Sequence, residues 1–410
     1  MTAPDDAETA AQPSRASPAE VAWVFLKLGL TSFGGPIAHL GYFRDELVAR
    51  RKWIDEAGYA DLVALCQFLP GPASSQVGFA LGLLRGGGLL GGLAAWCGFT
   101  LPSAGLLCLL ALGAGVLAGP VAEGVLHGLK LVAVAVVAQA VWGMARSLTP
   151  DRERAAIALA AVAVAVFAGG SLGQIGAIAL GAVAGLRLCR DGGPAPAGRL
   201  GLPVSRRGGA IALALFAAIF LAAPALTAAT GSQGLALFDA FYRSGALVFG
   251  GGHVVLPLLQ AEVVPPGWVS NAAFLEGYGL AQAVPGPLFT FAAWLGAMMG
   301  PAPNGVAGAA VALAAIFLPG LLLLYGALPF WDALRRRPGA QSAMRGANAA
   351  VVGILGAALY SPVWTSAVLA PSDFALALAG FLALTVWKAP PWTVVLGLAA
   401  AGAALPLIGP

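Results

Sequence analysis

Long apolar runs, broken by glycine, proline and short basic clusters, recur along the chain, and their lengths predict helices rather than strands. Leu89 to Leu117 and Val306 to Leu328 are each long enough to cross a hydrocarbon core of about 30 Å at about 1.5 Å per residue. The shorter runs Ala155 to Ala168 and Leu172 to Leu188 read as a hairpin of two short spans, and Ile211 to Leu226 as a further crossing. No polar stretch is left over for a soluble domain. The pattern predicts an all-α integral membrane protein. Glycine and proline fall inside apolar segments, in TSFGGP, CQFLPGP, FGGGHV and AQAVPGP, where they predict broken or re-entrant helices.

These breaks come in pairs. FLKLGLTSFGGPIAHL from Phe25 matches FYRSGALVFGGGHVVL from Phe241, CQFLPGP around Gln67 matches AQAVPGP around Gln282, and Pro102 matches Pro319. Three ordered matches at a near-constant offset of about 216 residues predict an internal duplication. The boundaries read as a polar tail over 1–19, a first repeat over 20–190, a basic linker over 191–207 and a second repeat over 208–410.

Charge orients the copies. Basic clusters at Arg50-Arg51-Lys52, Arg85, Arg146 to Arg154, Arg187 to Arg207, and Arg335-Arg336-Arg337 with Arg345 can all be placed inside on one consistent path. RDELVARRKW of the first copy is basic, whereas LLQAEVVPPGW of the second has no Lys or Arg. The copies are therefore expected to have inverted topology, with the amino terminus cytoplasmic and the carboxyl terminus periplasmic. Such repeats place a substrate site between the halves near the midplane.

Composition narrows the function. With 59% apolar and 10% charged residues and a mean hydropathy of +0.85, the lipid bilayer must be the solvent. No cleaved signal peptide is expected from the polar first residues. Cys66, Cys97, Cys108 and Cys189 lie at irregular spacing in apolar segments, so neither a disulfide framework nor a metal site is expected. The net charge of +4 resides in loops, which argues against nucleic acid. HExxH and Walker A patterns are absent, so the sequence predicts no enzyme and no cofactor.

A broken helix offers backbone N–H groups and the positive end of its dipole to an anion. The candidate substrate-binding residues are therefore Thr31, Ser32, Gly34 and Gly35, then Pro70, Gly71, Pro72, Ser74, Ser75 and Gln76, with Gly250, Gly251, Pro285, Gly286 and Pro287 in the second copy. Neutral donors suit a tetrahedral oxyanion that must be released again. The competing reading is that PGP only kinks packed helices and that the serines bond to a preceding turn. Charge or coupling candidates are Lys27, His39, Asp61, Lys130, Arg243, His253 and Glu276. Lys27 and Arg243 occupy matched positions and either set a positive potential or snorkel to the interface. Glu123, His127 and Lys130 share a helical face, as a proton relay or, in the favoured reading, an interfacial ion pair. Asp61 and Glu276 are favoured as helix caps over coupling carboxylates, and the two histidines as packing elements over metal ligands. GxxxG spacings at Gly78, Gly181 and Gly296 fit close helix contacts, including those of a homodimer.

The stretch SFGGPIAHLGYFRDELVARRKWIDEAGYADLVALCQFLPGPASSQVGFALG from Ser32 to Gly82, with FGGGHVVLPLL and AQAVPGP in the second half, resembles the chromate ion transporter (CHR) family in its long-chain, two-domain form. The family's signature residues fall on Gly34, Gly35, Pro36, His39, Gly41, Tyr42, Phe43, Arg44, Arg51, Asp61, Gln67, Pro70, Gly71, Pro72, Ser74, Ser75 and Gln76. The resemblance implies a bacterial inner-membrane secondary transporter that exports chromate, a sulfate-like dianion, driven by membrane potential or a proton gradient. Uptake or exchange of sulfate or another oxyanion, and a passive anion channel, are the alternative readings.

Overall fold

The computed structural model describes residues 16–114, 119–168, 170–190, 204–334 and 336–408. The polar tail through residue 15, the linker over 191–203, Arg335 and the last two residues lie outside the described residues. The first copy comprises α1 (Pro18–Thr31), α2 (Gly35–Phe43), which runs into a π turn ending at Arg50, α3 (Glu56–Phe68), α4 (Ala73–Arg85), α5 (Leu89–Gly113), α6 (Pro120–Leu148), α7 (Arg152–Ala168) and α8 (Gly170–Leu188). After α9 (Arg206–Thr230) the second copy follows with α10 (Gln233–Ala246), α11 (Val255–Val263), α12 (Asn271–Ala281) and α13 (Phe291–Ala297). It continues with α14 (Gly305–Ala327), extended by α15 (Trp331–Leu334), and α16 (Pro338–Ala358), extended by α17 (Thr365–Ala367). It closes with α18 (Pro371–Thr385) and α19 (Pro391–Ile408).

Polar residues set where these helices start. Ser17, Asp55, Ser205, Ser232 and Ser270 each accept a backbone N–H from the first turn of the helix they precede, which satisfies donors that have no partner within the helix. At the start of α7 the Arg154 backbone and side chain both donate to Asp151, and this holds the aspartate carboxyl below its usual range. Six helical runs among the described residues are long and apolar enough to cross a membrane: α5, α6, α8, α9, α14 with α15, and α16 with α17. The protein is thus an all-α, multi-pass membrane protein.

The copies match element by element. α1, α2, α3 and α4 correspond to α10, α11, α12 and α13, while α5, α6, α7 and α8 correspond to α14, α16, α18 and α19. α9 has no counterpart, so the matching part of the second copy begins at α10 rather than at residue 208. The breaks lie where glycine and proline interrupt the apolar runs. The α3–α4 and α12–α13 segments are hairpins, because their outer ends meet: Arg85 stacks over Trp53 at 5.6 Å, and Gly300 N–H donates to the Trp268 carbonyl at 2.8 Å. α1 and α2 form another, with Arg51 reaching Glu20 at 3.8 Å.

Contacts between the copies are reciprocal. Gly71 N–H donates to the Val248 carbonyl at 2.8 Å, and Gly286 N–H donates to the Ser32 carbonyl at 2.9 Å. Gly71 and Gly286 occupy matched positions, and so do Ser32 and Val248, so each PGP turn is tied to the other copy's glycine break. Reciprocity of this kind is the mark of a two-fold relation. The long helices repeat it. α8 packs antiparallel on α16, where a Cβ on Gly185 would collide with the Ser342 carbonyl, and α19 packs antiparallel on α6, where a Cβ on Gly124 would collide with the Gly402 carbonyl. Backbone approach through small residues is how helices gain packing energy where lipid offers no hydrophobic drive. Each copy therefore lends its last helices to the other, and the two interlock rather than standing as separate bodies.

Candidate functional site

The first glycine break, the middle of α6 and parts of the second copy line an open cavity of about 420 Å³. The first copy contributes Phe33, Gly34, Gly35 and Tyr42, α6 contributes Val136 and Gln139, and the second copy contributes His253 and Gln282. The α18–α19 connection, including Lys388 and Trp392, completes the wall. Gly34 and Gly35 have φ of 98° and 78°, left-handed values that only glycine adopts without strain. This turn starts α2 without any side-chain cap, so the positive end of the helix opens on the cavity. Lys388 is the only Lys or Arg among the described lining residues. Gln139 and Gln282 add neutral amides. The His253 Nδ1 atom shares a hydrogen bond of 2.7 Å with the buried Tyr278 hydroxyl, which fixes the ring at the cavity wall. One cation, a helix terminus and neutral donors in an apolar setting can hold a compact anion without trapping it.

The sequence candidates divide into those at this cavity and those beneath it. Gly34, Gly35 and His253 line it. Ser32 is buried, and its carbonyl is taken by Gly286. Thr31 is exposed and bonds back to the Lys27 carbonyl at 2.8 Å, while the Lys27 side chain is itself exposed. Pro70, Gly71 and Pro72 form the turn tied to Val248, and Pro285, Gly286 and Pro287 form the one tied to Ser32. Gln76 is buried, and its amide nitrogen donates to the Pro70 carbonyl at 3.0 Å and the Gly320 carbonyl at 2.9 Å. It staples the first PGP turn to α14. Ser74 and Ser75 are buried, with Ser74 Oγ hydrogen-bonded to His39 Nδ1 at 3.3 Å. The His39 ring packs roughly perpendicular to that of Phe99, with centroids 5.4 Å apart. Gly250 and Gly251 form the second glycine break, beside Met144 of α6.

Three charge readings are corrected. Asp61 and Glu276 are not caps: Asp55 and Ser270 cap α3 and α12, and both acids sit in the second turn. Asp61 instead accepts from Trp331 Nε1 at 3.1 Å, and Glu276 pairs with Lys130 at 3.4 Å. Lys130 and His127 do not form the interfacial group with Glu123. Their partners are Glu276 and Asp373, both in the second copy, the latter at 2.8 Å. Arg243 is held by Asp239 at 3.0 Å and Glu262 at 3.3 Å, and two carboxylates cancel the potential it was expected to supply. No group of three His, Cys, Asp or Glu residues with metal-site geometry occurs among the described residues.

Lys388, Gln139, Gln282 and Tyr278 were missed as site residues. Lys388 carried a signal: it is the only Lys or Arg after Arg345, within an otherwise apolar WKAPPW stretch. Gln282 carried one too, as the residue matched to Gln67 in the repeat.

A family model described as chromate transporter matches residues 19–186 and 235–403, the two copies without α9. A chromate transport protein of Pseudomonas aeruginosa is 30% identical over 96% of this chain and 94% of its own length. A probable chromate transport protein of Synechococcus elongatus is 30% identical over 82% of each chain. A chromate transport protein of Cupriavidus metallidurans is 29% identical over 82% of this chain and 80% of its own. No solved structure matches.

Proposed function

The chain belongs to the chromate transporter family, and from that premise we propose that it exports chromate across the bacterial inner membrane by alternating access. As a member of that family it is a transporter, not an enzyme. The observation that carries the proposal is the cavity at the meeting of the copies, where the uncapped start of α2 faces Lys388, Gln139 and Gln282. Chromate is a tetrahedral dianion, and a single cation leaves part of its charge to neutral donors, which permits release.

The copies are inserted in opposite senses. The first returns to the basic side at the end of α8, α9 crosses once, and the second copy starts from the other face. Supporting this, Gly209 near the start of α9 meets Gly326 at the end of α14, whereas the matched α5 begins just after Arg85. The carboxyl terminus is then periplasmic. The cavity reaches from the Gly34 break to Tyr42 and lies toward the end of α6 that carries Arg146, so it faces the cytoplasm, as an exporter awaiting cargo requires.

The membrane potential is enough to drive this movement. An interior-negative potential favours outward movement of an anion by about 2.3 kcal/mol per charge per 100 mV, or about 4.6 kcal/mol for a dianion. The test is uptake of labelled chromate into inside-out vesicles with an imposed interior-positive potential. Potential-dependent accumulation is expected, and its absence overturns the function.

A further inference from the structure

Acidic residues at matched positions in the two hairpins both reach across to the other copy, yet they meet different partners. Asp61 accepts a hydrogen bond from the neutral indole of Trp331, whereas Glu276 meets the ammonium of Lys130. The Lys130–Glu276 pair is poorly exposed, with side chains 20% and 13% accessible. A pair of this kind adds little net stability, because desolvation offsets attraction.

Its position gives it a use. Val136 and Gln139 of α6 line the cavity, and Lys130 lies six residues before Val136 on the same helix. Gln282, just past α12, lines the cavity, and Glu276 lies six residues before it. Six residues of helix are about 9 Å. Both partners therefore lie a similar distance beyond the cavity, away from the α6 end that carries Arg146. At this level α6 and α12 touch backbone to backbone, where a Cβ on Gly279 would strike the Leu129 carbonyl. The pair therefore sits beyond the cavity, where the two segments that line it come together.

We propose that Lys130 is a second anion station on the translocation path, kept shut by Glu276 until a tetrahedral oxyanion leaving the cavity competes for its ammonium. The oxyanion takes over the position of the Glu276 carboxylate, the contact between α6 and α12 opens, and Glu276 reclaims Lys130 once the anion departs. This rests on the chromate-transport reading, and the two can fail separately.

The experiment compares labelled-chromate flux in inside-out vesicles with equilibrium chromate binding to purified protein, for wild type, K130Q, E276Q and the exchanged pair K130E/E276K. K130Q is expected to lose flux by about tenfold or more while its binding at the cavity stays within about threefold. E276Q, which frees Lys130, keeps or raises flux. The exchanged pair restores the ion pair and the fold but not the flux, because a glutamate at position 130 repels the anion. Wild-type flux in the exchanged pair or in K130Q, or loss of flux in E276Q, overturns the proposal and leaves chromate transport standing. Absence of flux in wild type overturns both.

Discussion

Removing the charge of Lys388 tests the cavity most directly. In Lys388→Gln the backbone at this residue keeps its left-handed turn, with φ of 55°, since glutamine is no worse there than lysine. What is lost is one charge-assisted hydrogen bond to the anion, about 1.5–3 kcal/mol. The remaining donors, at the start of α2 and on the two glutamines, are neutral, so none replaces it. At about 1.4 kcal/mol per tenfold, chromate affinity should fall by roughly 10- to 150-fold. Equilibrium binding of labelled chromate to purified protein reads this directly. Thermal unfolding without ligand should be unchanged, because Lys388 is exposed and makes no ion pair with a described residue. Lys388→Arg should retain most affinity. A Lys388→Gln protein that binds chromate as wild type does would refute the assignment of the cavity as the anion site.

Three further outcomes follow. Gly34→Ala forces a side chain onto a φ of 98° and should cost about 1–2 kcal/mol at the start of α2, read as weaker chromate binding together with a lower unfolding temperature. Gln76→Leu leaves the Pro70 and Gly320 carbonyls without their donor, about 1–3 kcal/mol each, and should destabilise the protein more than it changes chromate affinity in the folded fraction; the reverse split, from unfolding and binding curves, would put Gln76 in the site. A reporter fused after Pro410 should be active only in the periplasm, and a cytoplasmic signal would contradict opposite insertion of the copies.

The apolar runs and their interruptions carried the architecture. α5 and α14 fall close to Leu89–Leu117 and Val306–Leu328, and all four breaks lie at the glycine and PGP motifs, because lipid forces every uninterrupted apolar run into a helix. The site was less legible, for a physical reason. Ser74, Ser75 and Gln76 follow a break and look like ligands, but Gln76 is spent on bonding α14, some 244 residues away in sequence. Whether Arg243 faces an anion or two carboxylates depends on Glu262, brought up by the α10–α11 turn. Lys388 acquires its role only because α18 and α19 pack on the first copy's α6. Local pattern cannot reveal which helix of one copy lands on the other.

The exchange of terminal helices also dictates an order of assembly. The chain is inserted from its amino end, so α6 enters the bilayer long before α19 has been synthesised, and the glycines at 124 and 128 that receive α19 must meanwhile face lipid or a chaperone. The first half cannot close its own structure. α19, made long after α6, is the helix that completes the first half, so the first copy gains its final packing only late in synthesis. A carboxyl-terminal truncation that spares every residue of the cavity would still leave α6 without its partner.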